Sequence, residues 1–101
     1  MKNVKENNKF DQELFEAILL LNNRQELENF IKDLCTPQEI NSLAERWRVC
    51  RLLDQGKLSY REISESTGVS LATITRIARF LKYDQNQGYT NVLNKMKNTG
   101  L

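Results

Sequence analysis

Ala72, Thr75, Arg76 and Arg79 stand at positions i, i+3, i+4 and i+7, a spacing that gathers four side chains on one face of a helix. The stripe is small at its leading end and cationic farther along. Short side chains let a helix end sink into the major groove of a duplex. There alanine and threonine methyls can meet the thymine methyl, and an arginine can donate paired hydrogen bonds to guanine. Ile74, Ile77, Ala78 and Leu81 repeat the same spacing on the other side, so that face is expected to enter a core. Arg61, with Lys57 and Lys82 at the margins, is expected to reach phosphates, which fix position without reading sequence.

Few other chemistries are open to the chain. It contains no His, which removes Ser-His, Cys-His and His-metal arrangements together. Cys35 and Cys50 lie fifteen positions apart with no CxxC neighbour. They supply too few soft ligands for zinc, and both are read as reduced, buried thiols. Glu45 and Asp54 show no partner spacing suited to acid-base work. No metal site, no catalytic residue and therefore no enzyme is expected. Trp47 is read as core, and Tyr60 as either a phosphate contact or a surface cap.

A helix that presents such a stripe needs a start, a turn before it and a floor beneath it. Ser70 is the expected cap, and Thr67-Gly68-Val69 the turn, with Gly68 free to take positive φ. The preceding short helix runs from Tyr60 to Ser66 behind the capping box Ser59-Tyr60-Arg61-Glu62. Ile63 points into its core side, and Ser64 is small where two helices approach closely. Residues 59–82 thus read as a helix-turn-helix.

Ahead of it, Thr36-Pro37-Gln38-Glu39 opens a long helix to Asp54, with a hydroxyl at the cap, proline at the first position and a carboxylate three residues on. Its second half, through Val49, Cys50, Leu52 and Leu53, is apolar on more than one side and belongs at the centre of the core. Gly56 is expected to end it. Two shorter amphipathic helices precede it, one on Leu14, Ala17, Ile18 and Leu21, the other on Leu27, Phe30, Ile31 and Leu34, the second capped by Asn23 with Glu26. The first nine residues are polar and read as a flexible arm, leaving 10–101 as a single helical domain. After a polar loop from Asp84 to Gly88, Thr90 is expected to cap a last helix over 90–97. No alternating run suggests a strand, so the fold class is all-α.

The whole chain of 101 residues carries 15 Lys plus Arg against 13 Asp plus Glu, a net charge of +2, which does not by itself mark a nucleic-acid binder. The local distribution does. Residues 1–35 hold five basic and seven acidic side chains, whereas residues 57–83 hold five basic and two acidic ones. The positive excess coincides with the stripe. It is modest, so affinity for DNA is expected to depend on dimerisation. No stretch of about 18 consecutive apolar residues occurs, as a membrane span requires, and a cytoplasmic location is expected.

From Leu34-Cys35-Thr36-Pro37 through Ser59-Tyr60-Arg61-Glu62 to Ser70-Leu71-Ala72-Thr73-Ile74-Thr75-Arg76, the chain resembles the tryptophan operon repressor family, and within it the Trp-repressor-related branch of Gram-positive bacteria. The similarity spans Leu34 to Lys82. It implies a six-helix Trp-repressor-like fold in which the helices within 11–54 interlock two subunits into an intertwined homodimer. Family DNA contacts fall on Arg61, Leu71, Ala72, Thr73, Thr75 and Lys82. A tryptophan-binding member uses a threonine and two arginines around the indole, and Thr36, Arg46 and Arg76 stand at those positions. The glycine after the second arginine is Ile77 here, and the serine three positions beyond that is Phe80. Both fill volume that the ring needs, so no cofactor is expected and the resemblance does not carry tryptophan over as co-repressor.

The expected function is that of a sequence-specific transcriptional regulator, a repressor that binds palindromic operator DNA as a homodimer. In it Lys57, Arg61 and Lys82 hold phosphates, while Leu71, Ala72, Thr73, Thr75, Arg76 and Arg79 read bases or neighbouring phosphates. Thr36, Arg46, Arg76, Ile77 and Phe80 would surround any effector. The alternative is a helical protein-interaction module that does not bind DNA, which salt dependence of DNA binding would separate from the first reading.

Overall fold

The computed structural model describes residues 4–83 and 86–100, with side chains from Asn8 onward. Six helices and no strand occur among them: α1 (Val4–Leu19), α2 (Arg24–Leu34), α3 (Pro37–Gln55), α4 (Tyr60–Thr67), α5 (Leu71–Tyr83) and α6 (Gly88–Thr99). The all-α, six-helix expectation holds. The chain falls into two compact units, residues 1–40 and 41–101.

In the first unit α1 begins at Val4, inside the stretch read as an arm; residues 1–3 lie outside the described residues. No Gly or Pro interrupts Val4 to Lys9, so nothing in the backbone stops the helix from extending toward the N-terminus. Asn23 caps α2, its side chain accepting from the Glu26 N–H at 3.0 Å. The Glu26 carboxylate reaches one residue farther back, to the Asn22 N–H at 2.8 Å. At the start of α3 the box is reciprocal: the Thr36 hydroxyl accepts from the Glu39 N–H at 3.1 Å, and the Thr36 N–H donates to the Glu39 carboxylate at 2.8 Å. No residue from Asn8 to Ile40 is buried. Phe10, Phe15, Leu19 and Leu20 are all more than half exposed, Leu19 to 82%. Cys35, expected to be buried, is half-buried at the end of α2, where its backbone N–H donates to the Ile31 carbonyl.

The second unit holds the core. Val49 and Cys50 from α3, Ile63 from α4, Val69 from the turn, Ile74 and Ile77 from α5 and Leu93 from α6 form one buried cluster, flanked by Trp47, Leu52, Leu53, Leu81 and Tyr89. Burial, together with the nearby Asp54 carboxylate, pushes the Cys50 thiol up to about 11, so it stays protonated and packs as a small hydrophobe. Gly56 ends α3 at φ 69°.

The last helix departs from expectation, because α6 opens at Gly88 with Gln87 in the left-handed region and no side-chain cap. The Gln87 carbonyl accepts from the Asn91 N–H at 2.9 Å, so the first turn is already closed before Thr90 could cap it. Asp84 and Gln85, at the head of the expected loop, lie outside the described residues. Lys97 ties α6 to Asp54 of α3 at 3.4 Å.

This core makes two substitutions informative. Ile63→Ala leaves a void in the fully buried cluster and should lower unfolding free energy by about 2–5 kcal/mol in urea titration; a loss below about 0.5 kcal/mol, the level of an ordinary surface change, would show that α4 is not held by it. At Gly68, where φ is 79° and a Cβ would meet nothing within 4 Å, alanine should cost about 1–2 kcal/mol from backbone conformation alone, and asparagine less.

Candidate nucleic-acid interface

The site is built on the helix-turn-helix of α4 and α5. Ser59 starts α4 with the full capping box, its hydroxyl accepting from the Glu62 N–H at 3.1 Å and its N–H donating to the Glu62 carboxylate at 2.9 Å. The Ser59 backbone N–H first, and the Ser59 side chain second, hold the Glu62 carboxyl below its ordinary range. Gly68 ends the helix in the left-handed region, its N–H on the Ser64 carbonyl at 2.8 Å. Ser70 then opens α5, accepting from the Thr73 N–H at 3.2 Å.

Along α5 the two expected faces separate cleanly. Ile74, Ile77 and Ala78 are buried and Leu81 half-buried, while Leu71, Ala72, Thr75, Arg76 and Arg79 are exposed. Thr73 falls between the two, half-buried, with its hydroxyl accepting from Ser70 at 3.0 Å. Thr75 donates to the Leu71 carbonyl at 2.8 Å, which turns its hydroxyl toward the helix and leaves its methyl and acceptor lone pairs for a ligand. Lys57, Arg61 and Lys82 are exposed around the same unit.

Between the start of α4 and the second half of α5 lies a cleft of about 480 Å³. Tyr60, Thr75, Arg79, Lys82 and Tyr83 wall it, over Ala78. The Lys82 ammonium sits 6.0 Å above the Tyr60 ring, at the outer limit of a cation–π contact. Tyr60 is thereby placed among the cations rather than in an isolated surface position. Sequence reasoning missed Tyr83, which is 80% exposed; its only signal is an aromatic residue beside Lys82 at the end of the cationic stripe.

The residues read as an effector site differ in their surroundings. Thr36 spends its hydroxyl on the α3 cap, Arg46 is exposed on α3, and Ile77 has no accessible surface at all. Arg76 and Phe80 meet, with the guanidinium 4.5 Å above the ring. They border an open groove of about 540 Å³ that is also lined by Trp47, Asn86, Tyr89 and Val92. Trp47 and Tyr89 are in contact there, ring centres 6.2 Å apart, so Trp47 packs on the core and also faces this groove. Among the described residues no group of three or more Cys, Asp or Glu could hold a metal ion, and no helix is long and apolar enough to cross a membrane.

The model for the Trp repressor protein family matches residues 10–97, well beyond the Leu34–Lys82 stretch on which the resemblance rests. An uncharacterized protein, YerC, of Bacillus subtilis is 44% identical over 86% of this chain and 82% of its own length. A Trp operon repressor homolog of Chlamydia trachomatis is 38% identical over 67% of this chain and 77% of its own. The crystal structure of a TrpR-like protein from Eubacterium eligens superposes with a TM-score of 0.80 at 38% identity, covering 94% of this chain and 96% of that one. With its sequence matched over residues 10–97 and its fold shared with a solved TrpR-like protein, the chain belongs to the Trp repressor family.

Proposed function

We propose that the chain is a DNA-binding transcriptional regulator that acts as a homodimer on palindromic operator DNA, as a repressor that occupies promoter sequence. The observation that carries this reading is the division of α5 into a buried aliphatic face and an exposed stripe from Leu71 and Ala72 to Arg79. In the proposed complex the slim start of α5 lies in the major groove. Leu71, Ala72, Thr73 and Thr75 meet base edges, while Arg76 and Arg79 reach bases or adjoining phosphates. Lys57, Arg61 and Lys82 set position on the backbone. Family membership and the names of the repressor homologues support the same assignment. The chemistry is recognition alone, and a cytoplasmic location follows from access to DNA.

Selection of bound sequences from a random duplex pool should return a palindrome with half-sites about one helical turn apart. Affinity for it should fall steeply with salt, and Arg79→Ala or Lys82→Ala should each lower the slope of log affinity against log salt by about 1. Binding that is insensitive to salt, or no duplex selected from the pool at all, would favour a protein-docking role instead.

A dimer is proposed because α1 and the turn after it leave Phe10, Phe15, Leu19 and Leu20 in water, and exposed large apolar residues gathered in one stretch mark an interaction surface. Sedimentation should give twice the chain mass for the unaltered protein, and Phe15→Asp with Leu19→Asp should shift it to the monomer. A monomeric unaltered chain would remove the two-headed mode of binding.

No small-molecule co-repressor is proposed. Phe80 places its ring under the Arg76 guanidinium, and Ile77 packs in the core, so the reading head is braced by the chain itself. Operator affinity should be the same with and without added tryptophan; binding that arises only when tryptophan is supplied would overturn this part of the reading.

A further inference from the structure

The turn between α4 and α5 is held by more than its glycine. The Val69 N–H donates to the Thr67 hydroxyl at 3.2 Å, the Thr67 O–H donates to the Ile63 carbonyl at 2.7 Å, and the Ser64 O–H donates to the Val69 carbonyl at 2.7 Å. Both polar groups of the Val69 backbone are thus bonded to side chains of α4. The Gly68 N–H is bonded to the Ser64 carbonyl, and the Val69 side chain is 7% exposed within the core cluster. Ser64 and Thr67 are themselves half-buried, so water competes poorly for these bonds. Val69 immediately precedes Ser70, the residue that opens α5.

We infer that Ser64 and Thr67 are positioning residues for DNA reading: through the two bonds to Val69 they fix the direction in which α5 leaves the turn. The inference rests on the DNA-binding reading of α5. A helix-turn-helix can tolerate a slightly loose turn and still fold, because burial of Ile63, Ile74 and Ile77 sets which face of α5 is inward but leaves a small tilt open. Reading bases cannot tolerate it, since hydrogen bonds weaken steeply with misalignment and a rotation of α5 misaligns all of its base-directed side chains together. The side-chain hydrogen bonds of both residues go to Ile63 and Val69, outside the exposed stripe, and a helix-packing role alone would require only that Ser64 be small. Ser64→Ala keeps the size and removes the bond; Thr67→Val keeps the shape and removes both of its bonds.

The test measures the unaltered protein, Ser64→Ala, Thr67→Val and the hydroxyl-retaining Thr67→Ser. In the free protein, amide exchange at Val69 and through the first turn of α5 should quicken about fivefold in the two hydroxyl-deleting variants, the effect of about one net hydrogen bond. Amides of Ile63 and Ile77 should be unchanged. Affinity for the selected operator should fall about fivefold to tenfold while affinity for random duplex stays the same, and Thr67→Ser should restore both readouts. An equal fall for operator and random duplex, or unchanged exchange at Val69, would overturn the positioning role. If exchange quickens as expected but the unaltered protein selects no duplex at all, the clamp stands as a feature of the turn, and it is the DNA-binding reading, with the positioning role built on it, that fails.

Discussion

The burial of Ile74 and Ile77 against Ile63, Val49 and Cys50 is the interaction on which the rest depends, because it decides which way α5 faces. All five side chains are fully buried. Turning α5 far enough to bring either isoleucine into water would forfeit about 1.5–3 kcal/mol for each, as much as or more than the roughly 1–3 kcal/mol that one well-paired base contact contributes to discrimination. The core therefore orients the helix before any ligand is present, and the exposed stripe is a consequence of what the opposite face buries. The same economy explains why α4 is only eight residues long. It has to deliver one isoleucine, a capped start and the hydroxyls that meet the turn.

The two units place opposite demands on their apolar residues. In the second unit Ile63 of α4 and Ile74 and Ile77 of α5 find partners within the chain, whereas in the first Phe10, Phe15 and Leu19 of α1 stay exposed. Charge follows the same division: the N-terminal third is slightly acidic and the helix-turn-helix basic. A small positive excess gives a single copy few phosphate contacts, and each contact adds only a modest gain at ordinary salt. Association of two copies through the exposed apolar residues would double that number without changing the charge of either chain, which is why the proposed dimer and the weak basicity belong to one explanation.

What could be read from the residues was local. Thr36 with Glu39, Ser59 with Glu62, Asn23 with Glu26 and Ser70 with Thr73 bond within three positions of one another, and such pairs depend on little beyond their own spacing. The buried and exposed faces of α5 were legible for the same reason. Features that join distant residues were not: Trp47 against Tyr89, or Tyr60 beside Lys82, require the packing of separate helices. The start of α6 was missed because Thr90 is a good cap in a position where the Gln87 carbonyl had already closed the turn. Apolar periodicity was silent on the first turns of α1, since an amphipathic stripe reports only the part of a helix that has something to bury. Ser64 drew notice for its size, and its hydroxyl, the more consequential feature, bonds to a carbonyl five residues on, a reach that no helical spacing suggests.

Arg76 and Arg79 look alike in a helical projection, and their surroundings separate them. The guanidinium of Arg76 is stacked on Phe80, which restricts its rotamers while leaving N–H groups at its edge free to donate. Arg79 stands at the mouth of the cleft with Tyr60 and Tyr83, and among the described residues it makes no ion pair and no ring stack. Ordering a free long side chain costs about 1.5–2 kcal/mol, a loss that Arg76 has partly met within the folded chain and Arg79 meets only on binding. The braced arginine is thus suited to a contact whose direction must be fixed, such as a base edge. The unbraced one is suited to a phosphate, where a point charge within reach is enough and a wandering side chain can follow the backbone from one sequence to another.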